Sequence, residues 1–389
     1  EAVAIICPKK PDDKYEFKEL SGVGLAYKLA QALVDKMNAT SINLNNWLDL
    51  VALGSVADMV PLVDENRMLV RKGLERLKAA PRMGLKALAE RSNLDLPRIN
   101  GNSIGFGFGP RLNAAGRMES ARKALQLLLT GDESAAKQLA KELDQQNQDR
   151  QILTKTTQQQ AAEIVKQSGR DLFFYADSTD FNQGILGLAA SKLTEEYYRP
   201  AIVATRKMDG TIRASCRSIP EFDITKALDE CADLLIQHGG HKAAAGFTIC
   251  YENLEIFLNR MEEIAERELG DLELKPTLRA DAQVTLTELK PELLNSLVQF
   301  EPVGMGNPVP VFYSKNAVVR NSRAVGREKN HLSLTLTDGQ FTFDAIGFGF
   351  GEMQNKLPTK IDILFSYENN YFQDQVHPQL RIIDLKFSE

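Results

Sequence analysis

The chain is organised around residues 132–168, DESAAKQLAKELDQQNQDRQILTKTTQQQAAEIVKQS. This stretch has no Gly or Pro and consists largely of helix-forming residues, which predicts one helix of roughly 50 Å at about 1.5 Å per residue. Polar side chains surround most of its circumference, which is typical of a strut between domains. We therefore expect separate folded regions on its two sides, and a length of 389 residues is natural for two or three domains.

The region before this helix, residues 1–131, reads as the C-terminal part of a larger α/β domain. EAVAIICP (1–8) is an apolar run closed by Pro, the pattern of a buried strand. Further helices are expected at 20–36, beginning at a Ser, and then at 46–57, 64–80 and 82–92. A buried parallel strand needs neighbours on both sides. Those neighbours would have to precede Glu1, and since no Met opens the chain we expect its true start upstream.

The region after the helix divides at Pro276. Residues 169–276 alternate between strand and helix patterns, which predicts an α/β domain. The expected elements are strands at 171–177, 201–205 and 211–216, and helices at 187–198 and 223–236. Residues 277–389 contain five short alternating runs, VFYSKNAVV, LSLTLTD, FTFDAIGF, IDILFSY and LRIIDLKF, which predict a small β-barrel of the OB type.

Composition narrows the class of protein. Apolar residues make up 43% and charged residues 25%, as in ordinary globular proteins, and no run approaches the roughly 18 apolar residues of a membrane helix. We expect a cytoplasmic protein without a signal peptide. The four Cys show no C-x-x-C spacing, so a zinc site or disulfide framework is not expected. The net charge of −5 argues against a uniformly basic nucleic-acid surface, but a local basic groove remains compatible with it.

Four motifs carry the chemistry. GSVADMVP (54–61) places Asp58 among small and apolar residues, where a carboxylate is paired, hydrogen-bonded or metal-bound. A lone Asp is more often a helix cap or turn residue. FGPRLNAAGRM (108–118) has two arginines six residues apart, whose guanidinium forks suit phosphate, although two arbitrary arginines more often form structural salt bridges.

The other two motifs lie in the α/β domain. RASCRS (213–218) puts Ser215 and Arg217 on the same side of an extended strand, which makes a compact anion pocket, or only a surface strand with a capping Ser. GGHKAAAGF (239–247) combines a Gly pair, which allows close backbone approach, with a His that can donate to phosphate. A lone His is usually structural.

Together these motifs, in this order, resemble the DHH phosphoesterases, and most closely those of the RecJ type, the single-stranded-DNA exonucleases. The resemblance covers the whole chain and implies that Asp58 is one oxygen ligand of a two-ion Mn²⁺ or Mg²⁺ site. The family's other ligands, an Asp-x-Asp string, a further Asp and an Asp-His-His triplet, are absent from the sequence. The chain alone is therefore expected to be inactive.

The resemblance also assigns roles to the remaining motif residues. It implies that Arg111, Asn113 and Arg117 face DNA near the scissile phosphate, and that Ser215 and Arg217 hold the 5′ phosphate. Gly239, Gly240 and His241 would lie beside the active site, with His241 as a catalytic residue. NQGILGLAASKL (182–193) is similar to a helix start in the DHH-associated domain, although many relatives have His where Asn182 stands.

The barrel region carries a possible strand-binding groove. FEPVGMGNPVPVF (300–312) is similar to the segment that opens the RecJ OB domain, although its Gly and Pro residues also fit plain turns. Between Lys315 and His331 the only acidic residue is Glu328. The same stretch has five basic residues, namely Lys315, Arg320, Arg323, Arg327 and Lys329. A charge run is usually a solvated face, but on an OB barrel it is what a strand-tracking groove requires.

The resemblance implies a 5′-to-3′ exonuclease that releases mononucleotides from single-stranded DNA in recombination and repair. It would act as a monomer, with a single-strand-binding protein and a helicase as partners. Two alternatives stay open. A phosphodiesterase for nanoRNA or cyclic dinucleotides would lack PRLNAAGR and the barrel, whereas a non-catalytic DNA-binding relative would have lost its metal ligands.

Overall fold

A computed structural model describes residues 3–79, 81–372 and 375–388. The chain forms two compact units that interleave along the sequence. The barrel unit comprises Glu1–Pro81, Leu94–Gly109 and Leu278–Glu389, and the α/β unit comprises Arg82–Asn93 and Pro110–Thr277. Among the described residues, no helix has both the length and the hydropathy needed to cross a bilayer.

The elements are numbered in chain order. The α-helices are α1 (Gly22–Lys36), α2 (Leu48–Ala57), α3 (Asp64–Ala79), α4 (Met83–Arg91), α5 (Gly109–Met118), α6 (Arg122–Leu129), α7 (Glu133–Ser168), α8 (Leu186–Tyr197), α9 (Ile224–Asp229), α10 (Leu254–Leu269) and α11 (Pro291–Leu297). The strands are β1 (Phe174–Ser178), β2 (Ala201–Arg206), β3 (Thr211–Arg217), β4 (Leu235–His241), β5 (Ala244–Cys250), β6 (Ala282–Gln283), β7 (Phe312–Val325), β8 (His331–Thr337), β9 (Thr342–Phe348), β10 (Lys360–Phe372) and β11 (Gln375–Phe387).

The helical part of the barrel unit packs α2 against α1 and α3. Ser21 caps α1 by accepting a hydrogen bond from the backbone N–H of Gly24, as its sequence position predicts. Gly73 lets α3 approach α2 closely, since a Cβ there would lie 2.2 Å from the carbonyl oxygen of Leu48. Packing of α2 and α3 therefore depends on a residue without a side chain.

The strand expected at residues 1–8 is wrong for the described part of that run. Residues 3–7 have irregular backbone, and Val3, Ile5 and Ile6 are exposed. No described strand pairs with them, so the backbone hydrogen bonds that would hold an apolar run in a sheet are not formed. Residues 1 and 2 lie outside the described part of the chain.

The C-terminal barrel closes as the sequence predicts. Its strands follow the order β10-β11-β9-β8-β7, and β7 also pairs with β10 to complete the ring. All pairings in the ring are antiparallel except β9 with β11. The interior is filled by alternate apolar residues that are buried, including Leu332, Leu334, Leu336, Ile361, Ile363 and Phe365. Because successive side chains of a strand point to opposite faces, the residues between these buried positions point away from the barrel interior.

The α/β unit is built on a five-stranded sheet with the order β1-β2-β3-β5-β4. The β1–β2 pair is parallel and the others are antiparallel. One face packs against α9 and α10, and the other against α7 and α8. The long helix was expected to be polar over most of its circumference, as a strut between domains, yet it buries a stripe that includes Ala136, Ala140, Leu143, Ala161 and Val165. These small and apolar residues make α7 part of the core of this unit.

One further expectation is wrong. The helix expected at 223–236 ends at Asp229, and after a short turn the chain enters β4 at Leu235. The segment Leu235–His241 pairs with β5, so its backbone groups are satisfied by a sheet ladder in place of a helix. Tertiary pairing has overridden the local helical pattern.

Candidate nucleic-acid site

Ser215 and Arg217 lie on one face of β3, as predicted. Their neighbours Ala214 and Cys216 are buried on the opposite face, while Ser215 and Arg217 are only partly covered. The guanidinium Nη1 of Arg217 donates to the carbonyl oxygen of Cys216 at 2.8 Å and lies 3.4 Å from the Ser215 hydroxyl oxygen. One hydroxyl and one guanidinium therefore point to the same place and can both donate to an anion.

The start of α8 is shaped around this pair. A Cβ at Gly187 would lie 2.8 Å from Nη2 of Arg217 and 3.0 Å from Oγ of Ser215. Because glycine has no side chain, the backbone at Gly187 can lie close to both groups. Upstream of Gly187, the side chain of Asn182 accepts a hydrogen bond from the N–H of Gly184, so Asn182 holds the turn that precedes α8.

Two glycines follow Ser215 on one side of it in the sheet. Ser215 pairs with Gly246 on β5, and Gly246 pairs with Gly239 on β4. A shallow concave surface results, lined by Gln183, Arg213, Ser215, Gln237, Gly239 and Gly246 among others. At Gly239 and Gly246 only backbone atoms line this surface, so a ligand chain can approach it closely.

Gly240 and His241 have different roles in the same hairpin. A Cβ at Gly240 would lie 2.4 Å from the carbonyl oxygen of Ala244, so this position has no room for a side chain. His241 is exposed at the end of β4, where it pairs through its backbone with Ala244. Its imidazole forms no hydrogen bond with another described residue, and a catalytic role for it stays a prediction.

The two arginines of the PRLNAAGR segment have different environments. Arg111 is largely buried, and its Nε donates to the buried carboxylate of Asp144 on α7 at 2.9 Å. Arg91 donates to the same carboxylate at 3.1 Å. This is the structural salt bridge that competes with a DNA-binding role for Arg111. Asn113 is exposed on α5.

Arg117 is exposed, and its Nη1 lies 3.5 Å from the carbonyl oxygen of Gly184, in the turn before α8. It makes no ion pair within the described chain. Burial, opposed by the Cys216 thiol and reinforced by the positive charge of Arg117, holds the pKa of Arg217 below its usual range. Arg117 thus contacts the turn before α8, and Arg217 and Ser215 lie against Gly187 at the start of the same helix.

Asp58 lies in the barrel unit at the C-terminal end of α2. Its side chain is exposed and forms no hydrogen bond or ion pair with another described residue, and its position at the end of the helix matches the alternative of a helix-cap Asp. The C-terminal end of a helix carries partial negative charge, so a carboxylate there is electrostatically unfavourable. A bound cation would offset that cost.

A single carboxylate does not make a metal centre. Within the described residues, no group of three or more His, Cys, Asp or Glu side chains is arranged to hold a metal ion. Two divalent ions need several oxygen ligands. The described residues therefore do not fit a complete two-ion site.

The five basic residues between positions 315 and 329 are all exposed, and none of them forms an ion pair within the described part of the chain. Lys315, Arg320 and Arg323 lie on β7, and Arg327 and Lys329 lie in the loop between β7 and β8. Arg323 pairs with Ser333, next to the buried Leu332 and Leu334, so it points outward.

One aromatic group on the barrel surface was not resolved by sequence reasoning. Phe312 is buried in the core, whereas Phe348 is 53% exposed. The guanidinium of Arg381 lies 5.4 Å from the Phe348 ring centroid, and the His331 ring packs edge-on at 5.1 Å. Arg381 could not be found from the basic run because only barrel closure brings β11 beside β9.

This fold and these sites define an α/β domain of the DHHA1 type followed by an OB domain. The DHHA1 domain family matches residues 170–267, and the RecJ OB domain family matches residues 280–384. The chain belongs to the RecJ family.

Among curated relatives, the single-stranded-DNA-specific exonuclease RecJ of Bacillus subtilis is 37% identical over 99% of this chain and 49% of its own length. The RecJ of Dickeya dadantii is 31% identical over 98% of this chain and 70% of its own length. The chain thus spans about half of the Bacillus relative.

Among solved structures, RecJ of Thermus thermophilus in complex with Mn²⁺ is 28% identical with a TM-score of 0.82. The match covers 98% of this chain and 55% of the Thermus chain. A second structure of the same protein is a complex with Mg²⁺, with the same TM-score.

Proposed function

We propose that this chain is the DNA-holding part of a single-stranded-DNA-specific 5′-to-3′ exonuclease that releases mononucleotides in recombination and repair. The observation that carries the proposal is that the Arg217 guanidinium and the Ser215 hydroxyl lie together, against Gly187, which has no side chain. Arg117 contacts Gly184 in the turn just before Gly187. These groups are hydrogen-bond donors or cations, as recognition of a phosphate requires. The proposed setting includes a single-strand-binding protein and a helicase as partners of a monomeric enzyme.

The α/β unit would hold the 5′ end of the strand. Ser215 and Arg217 would donate to its phosphate, Arg117 would add positive charge, and the row formed by Gly239 and Gly246 would admit the sugar-phosphate backbone. His241 would stand at the edge of this surface. Arg111 would act mainly through Asp144, by fixing α5 against α7.

The barrel unit would guide the strand farther along. Its exposed arginines can neutralise phosphates, and Phe348 offers an aromatic surface for a base. Because a phosphodiesterase for short or cyclic substrates does not need such a barrel, the barrel favours a longer strand as substrate.

The full activity would depend on Mn²⁺ or Mg²⁺, two ions being the family's number, with Asp58 as one ligand. Since the described residues contain no complete ligand cluster, we propose that the chain by itself binds DNA without cleaving it. The alternative of a non-catalytic DNA-binding protein would then describe this chain when it is taken by itself.

The test is to incubate the purified chain with 5′-phosphorylated single-stranded DNA and Mn²⁺. We expect salt-sensitive binding and no shortening of the strand. Mn²⁺-dependent degradation that disappears in Asp58→Ala would contradict the proposed division between binding and cleavage. Failure to bind the strand at low salt would contradict the proposed function itself.

A further inference from the structure

One face of the long helix α7 runs along the segment that follows PRLNAAGR. Glu142 on this face pairs with Lys123 at 3.3 Å, and one turn later Gln146 donates to Glu119 at 3.1 Å. The next residue on the same face is Arg150, because residues four apart lie one above another on a helix. The positive charge of Arg117 acts on the Arg150 guanidinium. The first two contacts are complementary, whereas the third brings two positive charges together.

No described residue gives the Arg150 guanidinium a partner that would explain this arrangement. Its side chain is partly buried, its Nε is inaccessible to solvent, and that nitrogen donates to no acceptor. Arg150 forms no ion pair within the described residues. Burial, and then the charge of Arg117, hold the pKa of its guanidinium below the usual range. Burying an unpaired charge beside a like charge is costly.

Arg217 extends the same cluster from the sheet side. It too is partly buried without an ion pair in the described chain, and the positive charge of Arg117 again acts on it. The segment just before and at the start of α8 links the elements that carry the three arginines. The turn Gln183–Ile185 contacts α7, and within it Gly184 contacts Arg117. Gly187, two residues after the turn, faces Arg217.

The fold supplies a carboxylate to arginines elsewhere in the same unit. The buried Asp144 accepts hydrogen bonds from both Arg91 and Arg111. A cluster of three arginines without such a carboxylate is therefore unlike its surroundings. An anion from outside the chain would supply both the missing charge and the missing acceptor.

We propose that Arg150 is a third phosphate-binding residue, and that with Arg117 and Arg217 it selects a terminal phosphate over an internal one. This inference rests on the proposed function and deepens it. A terminal phosphate carries close to two negative charges at neutral pH, whereas an internal diester carries one. Three unpaired guanidinium groups favour the more highly charged group, and Arg150 is the member contributed by the connecting helix.

The experiment measures the affinities of the full 389-residue chain for oligo(dT) with a 5′ phosphate and with a 5′ hydroxyl, at one low salt concentration. Arg150→Gln removes the charge, and Arg150→Lys keeps the charge without the fork. Lys155→Gln is the matched control, because it removes one exposed charge from the same helix. We expect Arg150→Gln to reduce the preference for the 5′ phosphate about tenfold and Arg150→Lys to reduce it less. Lys155→Gln should leave the preference unchanged.

Thermal unfolding gives a second readout. Without phosphate, Arg150→Gln should melt at the same or a higher temperature than the wild type, because a partly buried charge without an ion pair in the described chain is removed. Added inorganic phosphate should raise the melting temperature of the wild type more than that of the variant. A purely structural Arg150 would give a lower melting temperature and an equal response to phosphate, and that outcome would overturn the inference.

The two proposals fail differently. A wild type that prefers the 5′ phosphate, together with an Arg150→Gln variant that retains the full preference, would overturn only the role of Arg150. A wild type that does not distinguish the two ends would overturn 5′-phosphate recognition together with this inference.

Discussion

Nη1 of Arg217 lies 3.4 Å from Oγ of Ser215, on a strand whose alternate residues are buried in the core. Strand geometry therefore fixes both groups, since a shift of one residue would bury the guanidinium and expose Ala214 and Cys216. Gly187 faces both groups, and a side chain there would crowd them, because its Cβ would lie 2.8 Å from Nη2 of Arg217 and 3.0 Å from Oγ of Ser215.

The barrel's basic surface leads to a prediction about salt. Replacing Arg320, Arg323 and Arg327 together with Ala should weaken binding of single-stranded DNA and reduce the slope of log affinity against log salt by about 2, since each phosphate contact on a single strand contributes about 0.7. The measurement is a titration of labelled oligo(dT) at several salt concentrations.

The matched control replaces three exposed basic residues of the same unit that lie outside this run, Arg279, Lys290 and Lys356, with Ala. It removes the same charge, so a nonspecific loss of charge would affect both variants equally. Unchanged affinity and slope in the first variant would mean that the run is only a solvated face.

Phe348 is predicted to stack on a base. Phe348→Ala should cost roughly 1–3 kcal/mol of binding free energy if one base is lost from the ring. The control is Phe341→Ala, which removes an exposed phenylalanine from the start of the same β-hairpin arm. Fluorescence anisotropy with oligo(dT) compares the two variants, and equal affinities would exclude stacking at Phe348.

Sequence reasoning could predict the barrel and the sheet positions of Ser215 and Arg217, because alternation of apolar residues fixes which side chains point outward. It could not place the pair formed by Phe348 and Arg381, which are far apart in sequence and meet only when the barrel closes. It also left Arg111 and Arg117 equivalent. Only the position of Asp144 on α7 separates them, by pairing with Arg111.

The strand expected at residues 1–8 failed for a related reason. An apolar run specifies a buried strand only where a neighbouring strand offers hydrogen bonds, and local pattern does not contain that information. The division into two compact units could not be predicted from the sequence either. Leu94–Gly109 belongs to the barrel unit, although the segments on either side of it along the chain belong to the α/β unit.

Asp362 anchors the barrel at the β7–β10 pairing. Its nearly buried carboxylate accepts hydrogen bonds from the Tyr313 hydroxyl, the N–H of Asn316 and the Ser388 hydroxyl. Although burial opposes ionisation, these bonds and nearby Lys386 lower the pKa of Asp362 to about 2. At 1.36 kcal/mol per pKa unit, a depression of this size corresponds to about 2 kcal/mol of stability at neutral pH.

Asp362→Asn should therefore reduce the free energy of unfolding by about 2 kcal/mol at pH 7. Because the folded pKa is depressed, the contribution is complete above the unfolded pKa of about 4 and is lost as the pH falls towards 2. Denaturant unfolding of both proteins between pH 7 and pH 2.5 measures this. A difference that stays constant over that range would show that ionisation of Asp362 is not its source.

Recognition of a 5′ phosphate by the α/β unit is tested by comparing the binding of 5′-phosphorylated and 5′-hydroxyl oligo(dT) to the wild type and to Arg217→Ala. Gly187→Ala, which places a methyl group against both Ser215 and Arg217, serves as a second variant, and Gly131→Ala, where a Cβ meets open space, is its control. We expect the wild type and Gly131→Ala to prefer the phosphorylated strand, and Arg217→Ala and Gly187→Ala to lose most of that preference. Equal losses of affinity for both strands in Arg217→Ala would contradict it.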